Sequence, residues 1–248
     1  MKTENNSRGT LYLIPSSLGA VNIDHEIPAY NQTVMNTLNE FIVENTRTAR
    51  RFLRKAGCTH NFDEVVFHVL NKHTAEIDIP GFLDYVSPDH SVGLLSEAGN
   101  PCIADPGQSV VAEAHRRGIK VIPLVGPNSI LMALIASGFN GQSFTFHGYL
   151  PIETAERKEK IRQMESDAQH HDQTQIFMET PYRNNSMLSE LYRNCEPSTL
   201  LCIASDITTS SEFIYTQTIK QWEKQNPDLK KKPAIFLLYT TRFSKKTT

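Results

Sequence analysis

The sequence predicts an α/β protein with two domains, built on a parallel sheet in the first and a mixed sheet in the second. Short apolar segments alternate with helical patterns up to about residue 125, which is typical of a parallel sheet covered by helices. Later predicted strands follow one another directly, as a mixed sheet allows. The 248 residues suffice for two domains of ordinary size, and we place these at 1–124 and 125–248.

In the first half, strands and helices are predicted in alternation. Apolar or alternating segments predict strands at residues 10–14, 41–43, 64–70, 92–95 and 121–125. Periodicity and capping residues predict helices at 34–41, from Asn45 or Thr46 to about residue 56, at 80–86 and at 109–117. The last of these helices is expected to have Asp105 as its N-cap, with Pro106 in its first turn.

The second half is predicted to be richer in strands. We expect strands at residues 143–147, 174–178, 200–205, 213–217 and 234–239. Helices are expected at 130–136, 155–168, 184–193 and 219–225. Since the last strands lack intervening helices long enough for parallel crossovers, the second sheet is predicted to be mixed.

Composition excludes several classes of protein. No apolar run approaches the ~18 residues of a membrane span, and the polar residues 1–8 lack the apolar core of a secretion signal. The four cysteines have no metal-ligand spacing and are interpreted as reduced thiols, so we expect no metal and a cytoplasmic location. A net charge of −2 disfavours a protein that coats nucleic acid, but it permits a local basic patch.

Three rigid loops each follow a predicted strand, at residues 15–19, 96–107 and 126–129. The longest reads Ser-Glu-Ala-Gly-Asn-Pro-Cys-Ile-Ala-Asp-Pro-Gly. In open α/β sheets ligands bind beyond the carboxyl ends of the strands, where glycine allows close approach of the backbone. The loops therefore predict a ligand site. The alternative is an ordinary strand-to-helix connection, although such loops usually have about 2–6 residues.

A basic helix is predicted after residue 45. Five cations recur at helical spacing on one face: Arg47, Arg50, Arg51, Arg54 and Lys55. Because like charges repel, the pattern indicates a surface that contacts RNA phosphates. The alternative is a solvated helix face.

Motifs of other nucleotide-binding and hydrolytic proteins are absent from the sequence. It contains no G-x-x-x-x-G-K-[ST] phosphate loop and no G-x-G-x-x-G fingerprint. It also lacks the G-x-S-x-G nucleophile elbow. ATP hydrolysis, a standard dinucleotide fold and an α/β-hydrolase are therefore disfavoured.

Taken together, the loops resemble the tetrapyrrole-methylase-like superfamily of S-adenosylmethionine-dependent methyltransferases. Within it, they look most like the ribosomal RNA small-subunit methyltransferase I family. The segments that carry the resemblance cover most of the chain: residues 9–13, 44–47, 96–107, 126–129, 137–139, 146–151 and 177–183.

The resemblance implies two α/β domains with S-adenosylmethionine in the cleft between them, and a homodimer. It also implies methyl transfer to a cytidine ribose 2′-hydroxyl in 16S rRNA, so ribosomal RNA or the small subunit is the expected partner. On this mapping, the cofactor site is lined by Pro15, Ser96, Glu97, Ala98, Gly99, Pro101, Gly126 and Ser129, with Met178 as a wall.

The sequence departs from the family pattern at several positions. The family's Glu-Asp-Thr-Arg is here Glu44-Asn45-Thr46-Arg47, with one carboxylate fewer. Its Arg-Glu-Leu-Thr-Lys segment is here Ser-Asp-Ile-Thr-Thr at residues 205–209, without either cation. These changes fall where the resemblance expects substrate contacts.

Methyl transfer to a hydroxyl benefits from a general base. Glu44 and Glu179 are the candidates, each at a predicted strand end with an arginine nearby. Arg47, Arg50, Arg51, Arg54 and Arg183 are expected to hold substrate phosphates. The alternative is that each glutamate pairs with its arginine, Arg47 or Arg183, and positions a loop.

Three functions remain open from the sequence. The leading hypothesis is an rRNA 2′-O-methyltransferase. The alternatives are a methyltransferase acting on a small molecule such as a tetrapyrrole, and an RNA-binding assembly factor that binds the cofactor without catalysis.

Overall fold

The computed structural model describes residues 9–240; the polar residues 1–8 lie outside the described part. The chain divides into two compact units, the first ending at Asn128 and the second beginning at Ser129. The boundary predicted from the sequence lies a few residues earlier, after residue 124. Each unit contains one five-stranded sheet.

The first unit contains an all-parallel sheet. Its strands are β1 (Thr10–Ile14), β2 (Glu40–Val43), β3 (Val66–Val69), β4 (Val92–Leu95) and β5 (Lys120–Pro123), in the spatial order β3-β2-β4-β1-β5. Strands β2 and β4 are buried along their whole length, as expected for central strands covered on both faces. The predicted parallel sheet is confirmed.

Helices cover this sheet. They are α1 (Ala29–Met35), α2 (Thr46–Lys55) and α3 (Gln108–Arg116), with 3₁₀ helices at Ile23–His25 and Glu76–Leu83. Asn45 caps α2 as predicted, since its side chain accepts hydrogen bonds from the backbone N–H groups of Arg47 and Thr48. The apolar face of α2 buries Ala49 and Leu53 in the core.

The second unit contains a mixed sheet, which confirms the prediction. It is built from α4 (Ser129–Ser137), β6 (Phe144–Tyr149), α5 (Thr154–His171), β7 (Thr174–Met178), α6 (Asn184–Asn194), β8 (Leu200–Ser205), β9 (Phe213–Thr218), α7 (Ile219–Gln225) and β10 (Ala234–Tyr239). The spatial order is β6-β7-β10-β8-β9, and only the β6–β7 pair is parallel. Its core includes Trp222, Phe177 and Phe236, all fully buried.

Several local predictions were wrong. The helix predicted at 34–41 is α1, which ends at Met35, because Phe41 belongs to β2 and pairs with Gly93 of β4. The helix predicted at 80–86 is instead the 3₁₀ helix Glu76–Leu83. Asp105 does not cap α3, which begins at Gln108 after Gly107; its carboxylate accepts a hydrogen bond from the backbone of Glu97 instead.

None of the helices within residues 9–240 is both long enough and apolar enough to cross a bilayer.

Candidate active site

The loops after β1 and β4 are hydrogen-bonded into one structure. Ser16 and Gly99 exchange backbone hydrogen bonds of 2.9 and 3.0 Å, as in a short antiparallel bridge. The Ser16 hydroxyl donates to the carbonyl of Ser96 at 2.6 Å, and the Ser96 hydroxyl donates to the carbonyl of Gly99. Because these groups are buried and mutually satisfied, the two loops form a rigid surface.

The loop after β5 packs against this pair. Gly126 lies so close to Pro15 that an added Cβ would stand 2.2 Å from the proline ring. The Asn128 side chain donates to the Asn100 side chain at 3.0 Å. The structure thus brings together most of the residues predicted at the cofactor site, those at positions 15, 96–101 and 126.

The residues of these loops differ in their exposure. Pro15, Ser96, Gly99 and Pro101 are buried, whereas Glu97 and Ala98 are exposed. Gly99 has a φ of 71°, which favours glycine, and an added Cβ would lie 3.3 Å from the carbonyl oxygen of Pro127. The exposed residues Glu97 and Ala98 are therefore the part of the longest loop that a ligand can reach.

A groove of about 910 Å³ opens beside these loops, at the carboxyl ends of β2, β3 and β4. Its polar lining includes Glu44, Asn71, Lys72, His73, Glu76, Glu97, Asp105 and Gln108. Glu44, a predicted base, is exposed here. Within the described residues it forms no ion pair with Arg47, so the pairing that we considered from the sequence is absent.

Asp105 is one of several residues of this groove that were not predicted as site residues from the sequence. Its Oδ2 accepts a hydrogen bond of 3.1 Å from the Glu97 backbone N–H. Partial burial, together with repulsion from Glu44 and Glu97, raises the pKa of Asp105 to about 6. A titratable group shifted in this way within a groove is a candidate for function. Its position in the Asp-Pro-Gly motif at the end of the 96–107 loop was the available signal.

Three of the five cations on α2 are used within the first unit. Arg50 donates to the carbonyl of Phe62 at 3.0 Å, and Lys55 donates to the carbonyl of Ala20 at 2.7 Å. Arg54 donates to the carbonyls of Cys58 and His60 and lies over the Phe62 ring, 4.5 Å from its centroid. These contacts offset part of the repulsion that the sequence pattern implied.

Arg47 and Arg51 differ from those three cations. Both are exposed, and neither guanidinium group has a hydrogen bond or ion pair within residues 9–240. They lie on one face of α2, one helical turn apart. Their guanidinium groups are free to contact an anionic ligand.

The remaining predicted site residues lie in the second unit. Ser129 begins α4, and Met178 ends β7 half-buried. The Glu179 carboxylate is buried, lies 3.0 Å from a guanidinium nitrogen of Arg183, and accepts a hydrogen bond from the Thr180 N–H at 2.7 Å. The expected glutamate–arginine pairing is therefore present at this position.

Glu179 and Arg183 line a cavity of about 270 Å³ that also contains Arg157. Arg157 is buried and donates to the carbonyls of Pro151 and Ile152 at 3.2 and 2.6 Å. The sequence analysis missed it. The available signal was its spacing with the apolar residues of α5, since it precedes Ile161 by one turn on the buried face.

Comparisons with known proteins place this geometry in a family. A model of the tetrapyrrole (corrin/porphyrin) methylases matches residues 29–223. "Ribosomal RNA small subunit methyltransferase I" of Vibrio cholerae serotype O1 is 28% identical over 244 residues, which cover 97% of this chain and 81% of that protein. The protein of the same name from Halalkalibacterium halodurans is 30% identical, over 76% of this chain and 61% of that one.

Solved structures show the same fold. The crystal structure of the methyltransferase CobJ has a TM-score of 0.61 at 14% identity, with 95% of each chain covered. The cobalt precorrin-4 methyltransferase CbiF has a TM-score of 0.59 at 12% identity, over 93% of this chain and 94% of that one.

The fold and the relatives together define an S-adenosylmethionine-dependent methyltransferase. The chain belongs to the tetrapyrrole (corrin/porphyrin) methylases.

The three-loop surface is chemically compatible with this cofactor. S-adenosylmethionine carries ribose hydroxyls and adenine nitrogens, which exposed backbone groups can bind. It also carries a positive charge on sulfur, which the Glu97 carboxylate favours. The small residue Ala98 is exposed, so its backbone is accessible. Within residues 9–240, no group of three or more His, Cys, Asp or Glu side chains is arranged to hold a metal ion.

Proposed function

We propose that this protein methylates RNA of the small ribosomal subunit, at the ribose 2′-hydroxyl of a cytidine in 16S rRNA. The name shared by its curated relatives supports an rRNA substrate. The observation that carries the proposal in this chain is the pair of exposed guanidinium groups of Arg47 and Arg51, which have no partner in the described part of the chain. They lie on a helix that begins at the rim of the groove.

The proposed roles of the residues follow from what the reaction requires. Bound S-adenosylmethionine supplies the electrophilic methyl group. Pro15, Gly126, Ser129, Met178 and the loop at residues 96–101 would bind and orient it, since in-line displacement depends mainly on positioning.

We assign phosphate contacts in the RNA to Arg47 and Arg51, whose guanidinium groups have no partner among residues 9–240. Arg50 and Arg54 would add to the positive potential while they hold the turn at residues 57–62. The guanidinium of Arg183 already pairs with Glu179, so it would have to contact the RNA and Glu179 at the same time. The sequence offers Glu44 and Glu179 as candidate proton acceptors.

The test of this function is methyl incorporation. Small subunits from a strain lacking the enzyme are incubated with the protein and labelled S-adenosylmethionine, and the modified position is mapped by mass spectrometry. We expect label in 16S rRNA as a 2′-O-methylcytidine. Subunits from the parent strain are the control, and they should accept little label. If the protein binds the cofactor but labels neither subunits nor free RNA, the proposal is wrong.

Charge reversal on α2 tests the RNA contact. The double variant Arg47→Glu with Arg51→Glu should weaken binding to the small subunit at least ~10-fold. The slope of the logarithm of the binding constant against the logarithm of salt concentration should fall by about two, since two phosphate contacts are lost. Lys158→Glu with Arg162→Glu on α5 is the matched control, because these cations are also exposed. Equal loss in both double variants would indicate a general charge effect and contradict the assignment.

A small-molecule substrate of the tetrapyrrole type is the second candidate. The groove volume of about 910 Å³ favours it, since small-molecule sites are typically ~300–1,000 Å³. Turnover of a small molecule that is unaffected by reversal at Arg47 and Arg51 would support it. RNA binding without turnover would instead support an assembly factor, which the absence of cations at residues 205–209 allows.

We further propose that the protein acts in the cytoplasm as a homodimer. The expectation comes from the family resemblance. Light scattering of the purified protein tests it, since a mass near 28.0 kDa would indicate a monomer.

A further inference from the structure

In the groove at the ends of β2–β4, the carboxylate of Asp105 is hydrogen-bonded to the backbone of the proposed cofactor loop. Asp105 accepts the Glu97 N–H through Oδ2, and Oδ1 has no hydrogen bond within residues 9–240. Asp105 is about half-buried, whereas Glu44 and Glu97 on the same groove are exposed. Asp105 therefore combines an oriented carboxylate with a second oxygen that has no hydrogen bond among the described residues, in a side chain that lines the groove.

The other carboxylates proposed as bases suit the role less well. Glu179 is buried beside Arg183, at 3.0 Å, so its carboxylate is already engaged in an ion pair. Glu44 is exposed, and no hydrogen bond within the described residues fixes its side chain. A general base has to be held within hydrogen-bonding reach of the proton that it removes.

We propose that Asp105 is the general base of methyl transfer, accepting the proton of the substrate hydroxyl through Oδ1. This inference rests on the proposed function, which supplies the hydroxyl. As the hydroxyl oxygen forms its bond to the methyl carbon, the carbon–sulfur bond breaks and its electron pair stays on sulfur. The proton passes to Asp105 and later to water.

The charges around Asp105 suit a base that works near neutral pH. Glu44 and Glu97 face it and, together with its burial, raise its pKa to about 6. Cys102 lies near enough for Asp105 to raise the pKa of that thiol. Lys72, His73 and Glu76 line the same groove. At pH 7 Asp105 is therefore mostly ionised, and it is a stronger proton acceptor than an ordinary aspartate.

The first test is Asp105→Asn. An asparagine oxygen can still accept the Glu97 N–H, so the loop and cofactor binding should be kept while the base is lost. We expect the wild-type kcat to rise about tenfold per pH unit below pH ~6 and to level off above it. The variant should lose at least ~100-fold in kcat and lack this dependence. Asp63→Asn, an exposed aspartate outside the groove, is the matched control.

The second test uses the neighbouring charge. Glu44→Gln removes repulsion from Asp105, so the acid limb of the kcat profile should move to lower pH. If Asp105 had only a structural role, Glu44→Gln would not shift the acid limb of the kcat profile. A Glu44→Gln variant that loses the acid limb entirely would identify Glu44 as the base and overturn the proposal.

The outcomes separate the two levels of inference. If the wild-type protein binds S-adenosylmethionine but methylates no hydroxyl substrate, the proposed function fails and the role of Asp105 fails with it. If the wild-type protein methylates RNA and Asp105→Asn keeps its kcat within about threefold with an unchanged acid limb, only the role of Asp105 is overturned.

Discussion

At the scale of single residues, Gly99 fixes the conformation of the proposed cofactor loop. Its φ of 71° and the Pro127 carbonyl, 3.3 Å from where a Cβ would be, leave no room for a relaxed side chain. The residue is also locked to Ser16 by two backbone hydrogen bonds. A substitution here alters the loop that joins β4 to the site without changing any polar side chain.

Gly99→Val should reduce S-adenosylmethionine affinity at least ~10-fold, and its left-handed backbone should cost about 1–2 kcal/mol of stability. Isothermal titration calorimetry measures the first effect. Gly141→Val is the control, because Gly141 has open space around its Cβ and no positive φ. Undiminished cofactor binding by Gly99→Val would refute the assignment of this loop.

Asp105 also links the groove to stability. The folded state raises its pKa from 3.8 to about 6, so the ionised form is disfavoured and the wild-type protein loses stability as the pH rises through this range. Asp105→Asn should therefore be more stable than wild type at pH 7 by about 1 kcal/mol, a figure reduced for solvent screening. The difference should vanish near pH 4 in urea denaturation. A variant less stable than wild type at pH 7 would contradict this.

At the scale of elements, α2 separates two kinds of cation that look alike in the sequence. Arg54 binds two carbonyls of the following turn and lies over Phe62, whereas Arg51 extends into solvent. One helix thus holds the turn at residues 57–62 with some of its charges and presents others at the surface.

Because the Arg54 side chain is hydrogen-bonded and that of Arg51 has no partner among the described residues, replacing each by methionine should change the free energy of unfolding by different amounts. Arg54→Met should destabilise the protein by about 1–3 kcal/mol, because it removes two hydrogen bonds and a cation–π contact. Arg51→Met should change stability by less than about 0.5 kcal/mol. Thermal denaturation of both variants measures the difference. Equal stabilities would show that the Arg54 contacts contribute nothing in solution.

The elements also show where sequence reasoning succeeds. The ends of β1, β7, β8 and β10 were predicted to the residue, because each is an apolar run bounded by polar or turn-forming residues. The end of α1 was not, because Val34, Met35, Leu38 and Phe41 keep a helical spacing across the turn that separates α1 from β2. Periodicity cannot distinguish an apolar residue that packs on a helix from one that begins a strand.

The site was predicted less completely than the fold, for a physical reason. The cofactor loops could be found because glycine, proline and small polar residues occur together in sequence. The carbonyl partners of Arg50 and Arg54 and the Glu97 contact of Asp105 depend on loop conformations, which no local pattern encodes. The pKa of Asp105 depends on Glu44, which is distant in the chain.

At the scale of the whole molecule, each unit has its own core, and the second contains the chain's one tryptophan. Trp222 is fully buried, and its ring N–H donates to the Leu201 carbonyl at 2.7 Å. Its fluorescence therefore reports the unfolding of the second unit.

Phe236→Ala should lower the midpoint of that fluorescence transition strongly. The ring is fully buried on β10 and stacks on Phe177, with centroids 5.4 Å apart, so its removal should cost about 3–5 kcal/mol. Tyr215→Ala, on the edge strand β9 and more than half exposed, should cost below about 1 kcal/mol. Guanidinium titrations of the two variants test this, and similar midpoints would contradict the packing described for β10.

The position of β10 has a consequence for protein synthesis. It is the last strand of the described residues to leave the ribosome, yet it is the middle strand of its sheet, between β7 and β8. Until residue 234 has emerged, the nascent second unit consists of two separate strand pairs with unpaired edges, which are prone to associate with other chains. Shielding by a chaperone matters most in that interval, and a chain truncated before β10 would be a substrate for proteolysis.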